Sequence, residues 1–202
     1  MLFRSWIHNG CFTRDATPYL RRRGKKYRYH GTKEKGQILD RVSIDVRPKE
    51  VEQRLRAGDG ECDLVMSKTG KECIFTVVDR CSRFLFSGKL EDKTATKLAD
   101  AMVAALEAYE WHTLTFDNGK EFARHIGIAR ALGAKSYFAH PYSSWERAQN
   151  ERHNRIFREF VPKGRPICSY SADYILEASD RMNATPRKSL DYHTPEELFD
   201  QF

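Results

Sequence analysis

The sequence predicts an α/β fold in which a mixed five-stranded sheet is flanked by helices. Two observations carry this prediction. Short runs rich in β-forming residues follow one another closely after Gly60, and amphipathic helical segments alternate with further short strands from residue 94 onward. The resulting order of elements, β-β-β-α-β-α-β-α, is typical of a sheet that packs against helices.

The first three strands are predicted at residues 62–66, 74–78 and 83–90. Between the first two lies Lys68-Thr69-Gly70-Lys71, which has the composition of a turn. Because the connections are short, we predict that these strands form an antiparallel meander at the front of the sheet.

The helices are predicted mainly from the spacing of apolar residues. In residues 94–109 the apolar side chains recur on one helical face: Leu98, Ala101, Met102, Ala105, Leu106 and Tyr109. Strands at 112–116 and 135–139 enclose a helix at 122–132 that ends at Gly133. Further helices are predicted at 144–160, at 172–183 and after Thr194, where Thr194-Pro195-Glu196-Glu197 has the form of a capping box.

The amino-terminal part of the chain is strongly basic, within a protein of formal net charge +7. Six cations are interleaved with Tyr27 and Tyr29: Arg21, Arg22, Arg23, Lys25, Lys26 and Arg28. Clustered cations displace counterions from nucleic acid, so residues 1–57 are predicted to form a phosphate-contacting arm followed by a short linker helix after Pro48. A solvated basic linker is the alternative interpretation.

Cysteine usage and hydropathy exclude several classes of protein. The five cysteines are scattered and form no Cys-x-x-Cys pair, which argues against a zinc site or a disulfide framework. No apolar run approaches the roughly 20 residues that cross a bilayer, and the amino end has no secretion signal. We therefore expect a cytoplasmic protein with no membrane partner.

Three acidic residues stand out by their positions. Asp63 lies within the first predicted strand, Asp117 at the carboxyl end of the fourth, and Glu151 on the helix after the fifth. Aspartate is disfavoured inside strands, and cation binding is one reason to place it there. Asp117 begins a turn at the edge of the sheet where ligands of α/β proteins gather. An ordinary turn and a solvated helix face are the structural alternatives for Asp117 and Glu151.

Two segments resemble the second and third catalytic segments of bacterial insertion-sequence DDE transposases, most narrowly the insertion-sequence family numbered thirty. They are residues 113–122, TLTFDNGKEF, and residues 137–147, YFAHPYSSWER. The 33 residues between Asp117 and Glu151 match the spacing of such transposases. Residues 58–64, GDGECDL, and the tail motifs Pro186-Arg187-Lys188 and TPEELF at 194–199 are also similar, so the resemblance extends from about Arg41 to the end.

The resemblance implies an RNase H-like catalytic core of the retroviral-integrase type over residues 58–202. It implies that Asp63, Asp117 and Glu151 are catalytic and hold two Mg²⁺ ions, which Mn²⁺ can replace, because carboxylate oxygens suit these cations. Such a site cleaves DNA strands and transfers their ends by in-line displacement at phosphorus.

The resemblance also implies a DNA-contacting surface and a DNA-bound assembly. Besides the basic arm, the predicted DNA contacts are Lys120, His140, Arg147, Asn150, Asn154 and Arg158. The expected partners are double-stranded DNA of the element's terminal inverted repeats, target DNA and further copies of the chain, associated with the nucleoid.

The sequence departs from the family pattern at four positions: Gly60, Cys62, Arg155 and Thr185 stand where Trp, Gly, Gly and Arg are usual. The helix-turn-helix modules that open family members are not seen ahead of the basic arm, so little sequence preference in DNA binding is expected. Two alternatives stay open. One is an RNase H-like nuclease without strand transfer, and the other is a truncated, inactive remnant that binds DNA or inhibits full-length transposase.

Overall fold

The computed structural model describes residues 38–141, 143 and 148–201. Its strands are β1 (Asp59–Met66), β2 (Cys73–Asp79), β3 (Leu85–Leu90), β4 (Thr113–Phe116) and β5 (Lys135–Phe138). Its α-helices are α1 (Glu50–Gln53), α2 (Ala95–Leu106), α3 (His125–Ala131), α4 (Ala148–Phe160), α5 (Ala172–Asn183) and α6 (Pro195–Phe199). Short 3₁₀ helices occupy Ile44–Val46, Lys120–Phe122, Ile167–Ser169 and Lys188–Leu190. The predicted basic arm at residues 21–28 and the predicted DNA contact Arg147 lie outside the described residues.

The five strands form one mixed sheet in the order β3-β2-β1-β4-β5. β1, β2 and β3 pair antiparallel, as the predicted meander requires, whereas β1–β4 and β4–β5 are parallel. The predicted mixed five-stranded sheet is therefore confirmed. Because β1 and β4 are parallel, their carboxyl ends meet at the same edge of the sheet, where α/β proteins commonly bind ligands.

The two faces of the sheet carry separate apolar clusters. One cluster packs α2 and α3 against the sheet and contains Cys62 of β1 and Phe116 of β4. The other packs α4 and α5 against the opposite face and contains Val65 of β1 and Phe157 of α4. Side chains alternate along a strand, so Asp63 lies on the same face as Val65, which we call the α4 face.

The first strand begins at Asp59, three residues earlier than predicted. The prediction was wrong here because acidic residues are disfavoured in strands when nothing offsets their charge. In the structure Asp59 and Glu61 are each 1% exposed, and arginine side chains form ion pairs with both of them.

The predicted helix at 122–132 is also shorter than expected. A 3₁₀ turn at Lys120–Phe122 comes first, and α3 begins only at His125. The fully buried Phe122 ring packs on Phe116, which fixes this turn against the sheet before the helix starts.

The predicted carboxyl-terminal helices are confirmed. α5 spans Ala172–Asn183 with the Ser171 side chain as its N-cap, and α6 opens with a complete capping box between Thr194 and Glu197. Within the described residues no helix is long and apolar enough to cross a membrane.

Candidate active site

The parallel pairing of β1 with β4 relates the two predicted aspartates: Asp63 lies within β1, and Asp117 directly follows β4. β1 and β4 pair in parallel with Asp59 opposite Thr113 and Glu61 opposite Thr115. Continuing this register by two residues places Asp63 opposite Asp117. Adjacent strands lie about 4.8 Å apart and residues two apart share a face, so both aspartates lie at one edge of the α4 face.

Asp63 is half-buried and linked to α4 through an amide. The Asn154 Nδ2 atom donates a hydrogen bond of 2.8 Å to Asp63 Oδ2. The same amide accepts through Oδ1 from the Thr76 hydroxyl on β2, at 3.3 Å. Because both ends of the amide have partners, Asn154 orients the Asp63 carboxylate and ties it to the helix that carries Glu151.

Asp117 begins a tightly held turn. Its Oδ1 accepts a hydrogen bond of 2.9 Å from the Gly119 N–H. A Cβ atom on Gly119 would lie 2.9 Å from that oxygen and 2.5 Å from the Glu121 carboxyl carbon, so a larger residue would require these side chains to move. Asn118 donates from Nδ2 to the Ala139 carbonyl oxygen at 2.6 Å, which anchors the turn to the end of β5.

Glu151 lies in the first turn of α4, and its side chain is exposed. Residues three apart on a helix are neighbours, so Glu151 lies beside Asn154. Among the described residues, however, no group of three His, Cys, Asp or Glu side chains is close enough to hold a metal ion. The three predicted carboxylates therefore do not form a metal-binding group in the described residues, and the three-carboxylate site stays a prediction.

Two other aspartates near Asp63 have structural partners. The buried Asp59 carboxylate accepts from Arg56 Nε at 2.9 Å and from the Thr113 hydroxyl at 2.7 Å. Asp79 accepts from the Gly58 N–H at 2.9 Å and from the Ser82 hydroxyl at 2.8 Å. Burial raises the pKa of Asp79, although its hydrogen bonds act in the opposite direction. These contacts give Asp59 and Asp79 structural roles, and the metal-ligating role of Asp63 stays a prediction.

A buried ion network lies directly beneath the aspartates, and sequence reasoning missed it. Glu61 pairs with Arg80, which is 2% exposed, and Arg80 Nη2 also contacts Glu52 Oε2 at 3.0 Å. Arg47 pairs with Glu52 and donates from Nη1 to the Thr115 hydroxyl at 2.8 Å. Burial raises the pKa of Glu61, against the lowering effect of the Arg80 charge. The network fastens the segment around α1 to the strands that carry Asp63 and Asp117.

The predicted DNA contacts occupy different environments. Lys120 is exposed directly after the Asp117 turn, and His140 Nε2 lies 2.9 Å from Asp45 Oδ2. Arg158 Nη2 donates to the Met66 carbonyl oxygen at 2.7 Å, at the end of β1. Asn150 is 1% exposed, so this residue packs beneath the helix surface in the structure. Their contacts with DNA stay predictions.

Comparisons with known proteins agree with this architecture. Residues 58–144 match the family model described as the integrase core domain. The transposase for insertion sequence element IS4351 of Bacteroides fragilis is 42% identical over 187 residues, covering 91% of this chain and 57% of the relative. Transposase InsI for insertion sequence element IS30A of Escherichia coli (strain K12) is 31% identical, covering 89% of this chain and 48% of the relative.

A solved structure supports the fold independently. The catalytic core domain of BIV integrase superposes with a TM-score of 0.58 at 19% sequence identity, covering 72% of this chain and 95% of that one. The predicted RNase H-like fold of the integrase type is therefore confirmed.

Fold and family together define the class: the chain contains an integrase-type core, the catalytic domain of a family of polynucleotidyl transferases. Within that class, the chain is related in sequence to the transposases of bacterial insertion sequences, which match it over about nine-tenths of its length. It spans about half the length of the curated relatives that it matches.

Proposed function

We propose that the chain carries the phosphoryl-transfer site of an insertion-sequence transposase, which cleaves DNA strands at the element's ends and joins them to target DNA. The observation that supports this proposal most is the parallel pairing of β1 with β4 inside an integrase core, whose continued register places Asp63 beside Asp117 on one face of the sheet. Glu151 completes the proposed set from α4.

The residues present fit a divalent cation. All three proposed ligands are carboxylates, which suit hard cations such as Mg²⁺ and Mn²⁺. Hydrogen bonds from Asn154 and Gly119 orient the Asp63 and Asp117 carboxylates. These two proposed ligands are therefore oriented by the protein before a cation binds. We propose that Asp63, Asp117 and Glu151 hold two Mg²⁺ ions, which Mn²⁺ can replace. When bound, such cations stabilise the charge that develops on the attacking and leaving oxygens.

The chain's own residues position the DNA and the carboxylates. Asn154 holds Asp63 on β1 and so couples the strand edge to α4, which carries Glu151. Lys120 is exposed beside the Asp117 turn and is placed to contact a phosphate group of the bound strand. The Arg80–Glu61 pair beneath the site keeps β1 and the preceding segment in a fixed arrangement.

We propose double-stranded DNA as the substrate: the terminal repeats of the element and the target. Joining two element ends to one target requires both ends in one complex, so we also propose that copies of the chain assemble on DNA. Phosphate contacts by exposed cations would give this assembly its affinity, with a steep dependence on salt.

The test compares wild-type protein with Asp117→Asn on labelled duplex DNA carrying an element end, with Mg²⁺, with Mn²⁺ and with chelator. We expect metal-dependent nicking and joined product from the wild type, and a loss of at least about 100-fold in Asp117→Asn, because the variant lacks a ligand charge. Asp100→Asn is the matched control, since Asp100 is exposed on α2 at the opposite face of the sheet.

Each outcome separates the hypotheses. Nicking without joined product would favour a nuclease that lacks strand transfer. Cleavage that persists in Asp117→Asn or in chelator would overturn the proposed site. The similarities give no support to the alternative of an inactive remnant.

A further inference from the structure

A basic cavity lies on the flank of α4 that faces away from Glu151. It has a volume of about 580 Å³ and lies between α4 and the connection that follows α5. Five cations line it: Arg54, Arg83, Arg152, Arg187 and Lys188. Among its described lining residues Glu159 is the one carboxylate, so the cavity has an excess of positive charge.

The floor of the cavity contains polar groups that lack partners. Gln149 is 7% exposed, and within the described part of the chain neither its Oε1 nor its Nε2 atom has a hydrogen-bond partner. Arg83 Nη1 is buried and likewise has no partner among the described residues. Buried donors without acceptors cost free energy, and a bound anion would supply acceptors for Gln149 Nε2 and Arg83 Nη1.

The wall of the cavity is held in place by Arg187. Its Nη1 donates to His153 Nε2 at 2.7 Å, and its Nη2 donates to the Met182 carbonyl oxygen at 3.1 Å. Because Arg187 can only donate, the His153 proton belongs on Nδ1, which donates to the Gln149 carbonyl oxygen at 2.9 Å. Nε2 then carries no proton, so it does not donate to the Arg83 carbonyl oxygen, which lies 3.2 Å away.

A neutral His153 leaves the charge of Arg187 uncompensated. Burial and the Arg187 charge lower the pKa of His153 to about 4. The imidazole therefore fixes the orientation of the guanidinium without neutralising it. Arg54, Arg152 and Lys188 are exposed and surround the mouth, so cations lie both at the entrance and at the wall.

We propose that this cavity binds a backbone phosphodiester of DNA, across α4 from Glu151. The inference rests on the proposed function for its choice of ligand. A phosphodiester carries one negative charge and two non-bridging oxygens, which would accept from Arg83 and Gln149, while the mouth cations contact neighbouring phosphates. An α-helix is about 10 Å wide, so this contact lies away from the reacting phosphate and anchors a flanking part of the DNA.

The first experiment measures DNA binding without any divalent cation, as a function of salt. Arg152→Gln/Lys188→Gln removes two mouth cations, and we expect the slope of log affinity against log salt to fall by about 2, with binding about 10-fold weaker or more. Arg124→Gln/Arg130→Gln is the matched control, because both residues are exposed at the two ends of α3, which packs on the opposite face of the sheet. An unchanged slope in the cavity variant would overturn the proposal.

The second experiment uses inorganic phosphate as a probe and Arg83→Gln as the variant. We expect phosphate to raise the melting temperature of the wild type and to compete with DNA, and we expect Arg83→Gln to lose both effects. Phosphate stabilisation without competition would assign the cavity to a free anion and overturn its assignment to DNA. If Arg83→Gln does not fold, the salt dependence of DNA binding by Arg152→Gln/Lys188→Gln still tests the proposal.

These results are separable from the test of catalysis. Binding is measured in chelator, so an inactive carboxylate site would leave the salt slopes interpretable. Conversely, suppose that the wild type cleaves DNA while the cavity variants bind DNA as tightly as the wild type does. That result would overturn the cavity assignment and leave the proposed catalytic site standing.

Discussion

Three acidic residues on one face of β1 lie in three different environments. Asp59 accepts from Arg56 and Thr113, and Glu61 pairs with the buried Arg80. Asp63, at the carboxyl half of the strand, is half-buried and accepts from the neutral amide of Asn154. The first two carboxylates are offset by cations of the protein itself and hold the fold. The third is oriented by the neutral amide of Asn154, and we propose that it binds a cation.

The largest effect is expected for the buried pair. Glu61→Gln removes the buried carboxylate that pairs with Arg80 and leaves the largely exposed Glu52 as its acidic partner, so we expect the free energy of unfolding to fall by about 3 kcal/mol in urea titrations. Glu177→Gln is the matched control, since Glu177 forms an exposed pair with Arg181 on α5 and should cost less than about 0.5 kcal/mol. Equal losses in the two variants would mean that the Glu61 charge does not hold the fold.

The next effect tests the other end of the strand. Asp63→Asn removes the charge of a proposed metal ligand, so we expect a loss of at least about 100-fold in metal-dependent strand cleavage. The free energy of unfolding should change by less than about 1 kcal/mol, because a neutral amide can still occupy the site. The reverse pattern, lost stability with retained cleavage, would group Asp63 with Asp59 and Glu61.

His153, a buried base on α4, should make the stability of the fold depend on pH. The folded chain lowers the pKa of His153 to about 4 from 6.5. Its protonated form is disfavoured in the folded state, so its contribution to stability is full above pH 6.5 and is lost as the pH falls towards 4. When the pH falls from about 7.5 to about 5, His153 becomes protonated in the unfolded chain but not in the folded one. This difference should lower the free energy of unfolding by about 2 kcal/mol.

The measurement is urea unfolding at both pH values. His153→Gln should lose about 2 kcal/mol less than the wild type on acidification, since glutamine does not titrate. The exposed Gln53→Asn, which changes no titratable group, serves as the control and should lose as much as the wild type. An identical pH dependence in wild type and His153→Gln would contradict a depressed pKa.

Local sequence patterns predicted most of the elements but not the contacts between them. The apolar spacing of α2 and the capping box of α6 depend on residues a few positions apart, which the sequence displays directly. The Arg80–Glu61 pair depends on β1 and β2 lying side by side, and the Arg187–His153 bond joins residues 34 positions apart. Such contacts depend on the order of the elements in space, which local spacing does not specify.

One departure from the family pattern has a structural explanation. A Cβ atom on Gly60 would lie 2.9 Å from the Trp111 ring and 2.9 Å from the Leu114 side chain. The Trp111 and Leu114 side chains thus fill the space beside Gly60, so a tryptophan at position 60 is not required here.

The placement of Asp63 beside Asp117 follows from the parallel register of β1 and β4. Motif spacing alone does not predict this register, which the sequence predicts only through the family resemblance.

The smallest effect is expected at Asn154, the residue whose amide donates to Asp63. Asn154→Ala removes the amide that orients this carboxylate while leaving the proposed ligands in place. We expect cleavage to fall by about 10-fold, with a higher metal concentration needed for half-maximal activity, because residues that orient metal ligands tune metal affinity. Asn154→Asp, which keeps the shape but replaces the donor with an acceptor, should be at least as impaired, since it faces Asp63 with a like charge. Unchanged metal dependence in Asn154→Ala would limit Asn154 to packing between α4 and β2.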